Sequence, residues 1–374
     1  MWDESVPPAT ERVPGVVVSH VPASTGAYVG SPSIAVLPCG DYVATHDIFG
    51  PNSGEEASGV TLVFRSRDRG ATWRRVGEVQ GQFWSSLFYH RGALYLFGTN
   101  GLYRDAVIRR SEDEGATWTR AVDAASGLLT SGGRWHCAPT PVVEHAGRLW
   151  RAMERRPLKS QTFAGAFSAP AGCDLLDAAN WTFSDPVVSD PAWLGGDFCR
   201  WLEGNIIVDP AGELVDLLRI TTNAFPDAAA MLHLAPDGHG AAFDPAKDLM
   251  RILGGGNKFT IRPDPRGKLY WSLINVAPKR YHAGTTACYV RNTLALACSR
   301  NLRDWDVRCA LLHHPDRFHH AFQYVDWLFD GEDLIAVSRT AYDDGLGGAH
   351  TYHDANYMTF HRVKAFRGER PSMA

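Results

Sequence analysis

Ser66-Arg67-Asp68-Arg69-Gly70-Ala71-Thr72-Trp73 and Ser111-Glu112-Asp113-Glu114-Gly115-Ala116-Thr117-Trp118 are two copies of one pattern, S-x-D-x-G-x-T-W, set 45 residues apart. A period of that size indicates a repeat architecture. The pattern has a local physical meaning. The Ser and Asp oxygens bond backbone N–H groups inside a tight turn, Gly takes the positive φ that the turn requires, and Trp opens the next strand with its ring beneath the turn. It specifies a hairpin staple, not a catalytic element.

Outward from the staples runs a second repeat. Six times an apolar run breaks at a glycine turn (Gly40, Gly92, Gly147, Gly212, Gly267, Gly331) and resumes as a strand-like run, at intervals of 52 to 65 residues. Units of this kind, with strands and no long amphipathic helix, predict an all-β, six-bladed β-propeller with four antiparallel strands per blade. The 374 residues, 45% hydrophobic with 36 Gly and 22 Pro, are enough for one closed ring spanning 1–374. The segment at about 11–20 is expected to supply the outer strand that closes the last blade.

The net charge of −4 and the lack of a Lys/Arg run argue against nucleic acid or an anionic membrane surface as partner, and no apolar stretch is long enough to span a bilayer. The N-terminus reads as having no secretory signal, so a cytoplasmic location is expected; removal of a signal would leave secretion open. Seven dispersed cysteines without a C-x-x-C pair read as reduced thiols. No metal or cofactor is expected, and the chain is expected to be a monomer or small homo-oligomer.

In a propeller, residues just before each inner strand and just after each second strand converge on one mouth of the central channel. Aligning the second strands on their first large apolar residue gives a column five places later: Asp47, Thr99, Glu154, Arg219, Ile274 and Arg339. His46 and Arg155 flank it. Counting back from the turn glycines brings His136, Glu203, Lys258 and His320 to the same funnel, with Trp84 and Trp201 as flat stacking surfaces and Gln323 at the start of the last inner strand. Charged groups in a propeller centre are paired or used, and polar clusters with aromatic walls suit an oligosaccharide or polysaccharide.

The staples resemble the Asp-boxes of the sialidase-like (BNR-repeat) propeller superfamily, with degenerate echoes at Asp177–Trp181 and Ser299–Trp305. The resemblance implies six four-stranded blades and carbohydrate chemistry, with the boxes on the rim away from the active site. It departs from sialidases in the first blade. Where their R-I-P motif supplies an arginine, this chain has Gly30-Ser31-Pro32, and Arg12-Val13-Pro14 lies too early. A Tyr/Glu nucleophile pair is also implied, for which Tyr342 with Glu203 are the candidates. The chain also resembles the broader group of propeller enzymes that release a sugar from uronate-bearing plant polysaccharides, some by hydrolysis and some as lyases.

Arg219 and Arg339, with Arg155, suit the carboxylate of an acidic sugar because the guanidinium fork matches it. Asp47, Glu154 and Glu203 offer the acid and base of glycoside hydrolysis. His136, His320 and Tyr342 alternatively offer the base and phenolic acid of β-elimination next to a uronate. The Gly-rich stretch Gly345–Asn356 reads as a loop after Arg339 that caps the mouth and contributes His353; no helix holds its imidazoles together for a metal. Gly254-Gly255-Gly256 reads as a blade crossing that presents Lys258. The expected function is an exo-acting glycoside hydrolase on an acidic glycan. A polysaccharide lyase and a non-catalytic glycan- or protein-binding propeller are the alternatives.

Overall fold

Six antiparallel sheets follow one another along the chain in a computed structural model that describes residues 2, 4–51, 53, 57–158, 161–222, 227–282, 285–368 and 371–373. In the first, the inner edge is split into Tyr28–Val29 and Ser33–Val36, followed outward by Tyr42–Phe49, Val60–Ser66 and Arg74–Gln80. The second runs Phe83–His90, Ala93–Thr99, Ala106–Ser111, and the third is built on Arg148–Leu158 and Gln161–Pro170. The fourth is built on Phe198–Val208, Leu214–Thr222 and Ala228–Leu234; the fifth runs Thr260–Pro263, Tyr270–Asn275, Thr293–Ser299, Trp305–His313. The sixth runs Ala321–Asp330, Asp333–Ala341, Tyr357–Lys364, and its next strand is Val16–His20 from the other end of the chain.

The fold is the six-bladed β-propeller, with one departure. The second blade has three strands among the described residues. In place of a fourth, the irregular segment after its staple reaches back through Thr119 N–H to the Arg110 carbonyl and Leu129 N–H to the Ala106 carbonyl, both at 2.9 Å. Asp123, Ser126 and Gly127 break that segment into turns, so no regular ladder forms.

The core is divided among the blade interfaces. One apolar cluster joins the second and third blades through Phe97, Phe167 and Trp181, another the fifth and sixth through Leu296, Trp327 and Phe366, another the first and sixth through Ile34, Phe64 and Met358. Inner strands have an unpaired edge toward the channel, and side chains satisfy it across blades. Ser33 Oγ donates to Asp326 (2.8 Å) and accepts from Leu87 N–H (2.9 Å); Ser86 Oγ donates to the Thr140 carbonyl (2.6 Å) and Asn205 Oδ1 accepts from Ile261 N–H (3.0 Å). This girdle fixes the ring against which the site is built.

The staples form as their chemistry requires. Gly70 N–H donates to Ser66 Oγ and Thr72 N–H to Asp68 Oδ1, both at 2.8 Å, and the Trp73 indole donates to the Gly70 carbonyl at 3.2 Å. The second staple repeats every one of these bonds. At the echo in the fifth blade, Leu302 N–H donates to Ser299 Oγ and Trp305 to the Leu302 carbonyl, with Leu302 at φ 64° where the others carry Gly.

Candidate active site

At one mouth of the central channel lies a cavity of about 360 Å³. Its distinguishing backbone feature is a set of three bulges on alternate blades. Pairing slips between Phe83 and Ser86, between Leu202 and Asn205, and between Gln323 and Asp326. Inside each bulge one large residue takes a left-handed conformation: Trp84 at φ 51°, Glu203 at φ 55° and Tyr324 at φ 54°. Such residues cost about 1–3 kcal/mol each and need surrounding structure to hold them. All three line the cavity.

The support comes from the preceding blade. Asp47, at the end of a second strand, accepts Trp84 N–H (2.8 Å) on one oxygen and Thr61 Oγ1 (2.8 Å) on the other. Glu154, in the equivalent place two blades on, accepts Gly204 N–H (3.0 Å) next to Glu203. Asn275 donates to the Phe322 carbonyl (2.7 Å) before Tyr324. A Cβ at Gly204 would sit 2.2 Å from Asp216, so only Gly completes that bulge.

Tyr324 is the focus of the cavity. Its hydroxyl donates to Glu203 Oε1 at 2.9 Å, and the other Glu203 oxygen accepts Arg219 Nη1 at 2.7 Å. The Arg291 and Arg339 guanidiniums lie 5.5 and 5.0 Å from the Tyr324 ring centre. Burial opposes ionisation of Glu203, but Arg219, His136 and the two hydrogen bonds outweigh it and hold its carboxyl below the usual range. Arg219 is further held by the Gly256 carbonyl (2.8 Å), and Arg291 by Asn257 (3.0 Å) and Gln323 (2.6 Å). Arg339 donates to the His353 carbonyl and faces Phe49, while its Nε is buried without a hydrogen-bond partner among the described residues. Burial lowers its pKa to about 10. Four arginines (200, 219, 291, 339) against one carboxylate, Glu203, make the lining cationic.

On the other wall His136 Nδ1 lies 2.9 Å from Glu154 Oε2, and its ring stacks on Tyr103 with Trp84 edge-on. His353 also lines the cavity; Arg339 beside it, with burial, lowers its pKa to about 4. Cys288 and Tyr289 complete the rim.

Of the residues expected from the sequence, His136, Glu203, Arg219, Arg339, Trp84 and His353 line this cavity. The others sit behind it or elsewhere. Asp47 and Glu154 do not line it; they hold bulges, and Asp47 is desolvated enough to raise its pKa to about 7 despite bonds from Thr61, Trp84 and Ser31. Tyr342 is not the nucleophile candidate, for its hydroxyl donates to the Thr10 carbonyl and its ring packs on His320. His320 itself lies between Asp316 and Asp343, each 3.3 Å away. Trp201 is wholly buried among Trp193, Phe198 and Phe243. Arg155 faces Trp135 and the Gly133 carbonyl. His46 is buried between Ser19 and the Asp47 carbonyl. Lys258 donates to Thr260 (2.5 Å) and the Val325 carbonyl (2.7 Å), and burial lowers its pKa to about 8. Gln323 supports Arg291 from behind. The sequence reading missed Tyr324, Arg291, Tyr103, Phe49 and Arg200. Among the described residues no cluster of His, Cys, Asp and Glu forms a metal site, and no helix is long and apolar enough to cross a membrane.

The fold is that of the sialidase-like propellers. An α-L-arabinanase of Penicillium chrysogenum, solved with arabinobiose, superposes with a TM-score of 0.57 at 16% identity, over 94% of this chain and 98% of that one. A Hadza microbial sialidase gives 0.62 at 14% identity over 94% and 68% of the two chains. Trypanosoma rangeli sialidase gives 0.60 at 13% identity, over 93% of this chain and 58% of its own. No protein-family model and no curated protein sequence matches the chain.

Proposed function

We propose that this protein is an exo-acting glycoside hydrolase for an acidic glycan, one that bears a terminal sialate or uronate, with Tyr324 as its nucleophile. The observation that carries the reading is the Tyr324 hydroxyl hydrogen-bonded to Glu203 between the guanidiniums of Arg291 and Arg339. An ionised Glu203 can accept the phenolic proton as the oxygen attacks, and adjacent cations stabilise the phenolate that forms. A tyrosine also suits an acidic sugar. A neutral hydroxyl approaches an anionic ring without the repulsion a carboxylate nucleophile would meet, and tyrosine nucleophiles are known among glycosidases. Arg339, with unspent donors, and Arg291, whose Nη2 makes no hydrogen bond among the described residues, are suited to the substrate carboxylate.

In this reading Arg339 takes over from the first-blade arginine. A Cβ at Gly30 would lie 2.7 Å from Asp47 Cβ, so no side chain fits there. The sialidases and the arabinanase among the structural neighbours act on glycans, which supports the class. Elimination next to a uronate is the second reading, favoured by the His136–Glu154 pair, which resembles a base with its orienting carboxylate.

The test is incubation with sialyl-lactose and with uronate-bearing plant oligosaccharides, following reducing sugar and the ultraviolet absorbance of a conjugated uronate. Sugar release without that absorbance is the expected result. Absorbance rising with release would replace hydrolysis by elimination, and binding without release would leave a binding module.

A further inference from the structure

We infer that His136 is the acid that protonates the departing sugar oxygen, a role for which glycosidases ordinarily use a carboxylic acid, with Glu154 as the group that positions it. The assignment rests on the hydrolase reading above and completes it.

His136 belongs to the third blade and Tyr324 to the sixth, and in a ring of six these are diametrically opposed. Both line the same cavity. A nucleophile and a leaving-group acid must flank the anomeric carbon, and opposition across the cavity supplies that arrangement. Asp47 and Glu154 are absent from the lining, their oxygens taken by Trp84 N–H and Thr61 in one case and by Gly204 N–H and His136 in the other. Glu203 has one oxygen on Arg219 and the other on the Tyr324 hydroxyl, which leaves it as the nucleophile's base. His353 lies against Arg339, which disfavours a second positive charge there. His136 has its Nδ1 on a carboxylate, stacks on Tyr103, and leaves Nε2 for the cavity. A carboxylate behind an imidazole fixes its tautomer and its ring orientation.

The step balances. Tyr324 passes its proton to Glu203 as its oxygen bonds to the anomeric carbon. The glycosidic C–O bond breaks, its electron pair stays on the leaving oxygen, and that oxygen takes the proton from His136 Nε2. In the second half the neutral imidazole removes a proton from water, whose oxygen displaces the tyrosyl oxygen, and Tyr324 recovers its proton from Glu203.

Leaving-group dependence tests this directly. A sugar alkoxide needs a proton to depart, whereas a nitrophenolate does not. His136→Gln is expected to slow cleavage of a sugar–sugar bond by about a hundred- to ten-thousand-fold, while cleavage of the nitrophenyl glycoside of the same acidic sugar stays within about tenfold of the parent. Glu154→Gln should show the same split in milder form. Equal losses on both substrates, or none on either, would overturn the assignment. If the parent enzyme cleaves neither, the hydrolase reading fails first and this one with it.

Discussion

Tyr324 and Glu203 are 121 residues apart in sequence, sit on bulges of different blades, and share a hydrogen bond of 2.9 Å. Each is held at positive φ, so the bond is made by backbone that local preference does not favour. Strain of this kind persists where the surroundings over-determine it. Here the Glu154–Gly204 and Asn275–Phe322 bonds from preceding blades do so.

Tyr324→Phe removes one oxygen and keeps the bulge and the ring between Arg291 and Arg339. Turnover should fall by on the order of ten-thousand-fold, the scale of losing a nucleophile, while thermal unfolding shifts by no more than a few degrees. Steady-state kinetics and a melting curve on the same preparation check both. Tyr342→Phe, which breaks only the bond to Thr10, should leave turnover near that of the parent.

Arg339→Met separates binding from stability. The folded environment disfavours this guanidinium, whose pKa burial lowers to about 10. Its removal should therefore leave the melting temperature unchanged or higher. The cost should fall on an acidic substrate: about 3 kcal/mol, or roughly a hundredfold in kcat/KM. Arg339→Lys should recover little of it, since a point charge does not reproduce a fork.

Acid should weaken the fold through its buried histidines, opposed in part by Asp47, whose carboxyl burial raises to about 7 so that the folded chain binds that proton before the unfolded one does. His46 and His361 are fully buried, and desolvation lowers each from the ordinary 6.5 to about 4. Between those values these two residues bind protons in the unfolded chain and not in the folded one, so their contribution to stability falls as pH drops from 6.5 to about 4. Each histidine contributes a slope of about 1.4 kcal/mol per pH unit. Urea midpoints at several pH values in that interval should follow this fall, and His361→Gln should flatten it.

The repeat was legible because staple and turn chemistry are local. Ser66, Asp68 and Gly70 bond within one turn, and a local signal survives in the sequence. The strand-end column was equally legible as a set of positions, since Asp47, Glu154, Arg219 and Arg339 are buried near the mouth. Their roles were not, because Asp47 and Glu154 spend their oxygens on the next blade. Tyr324 escaped for a geometric reason. Asp330 pairs with Asp333 across a two-residue turn, whereas Val208 pairs with Leu214 across five residues, so a fixed count back from each turn glycine lands on Glu203 in one blade and Phe322 in the other. Glu203 lies nine residues before its turn glycine and Tyr324 seven, so the fixed count overshoots the sixth blade's bulge by two residues. Arg291 lies before a third strand, outside the hairpins from which the columns were counted.

Trp73→Ala should do the reverse of Tyr324→Phe. The Trp73 ring packs 5.5 Å from Phe360 of the sixth blade, so the first staple seals the junction where the ring closes. Gly70 fits against the Phe360 ring, for a Cβ there would lie 2.2 Å from it. Truncation of a partly buried Trp at such a junction should cost about 3 kcal/mol. The strand Val16–His20, which pairs with Tyr357–Lys364 beside Phe360, should then lose protection first. Hydrogen exchange would register the opening in both strands. Turnover at a temperature where the variant stays folded should match the parent, because Trp73 does not line the cavity. Loss of turnover in a folded Trp73→Ala would mean that the staple reaches the site through the first blade, and the separation of scaffold from chemistry drawn here would be wrong.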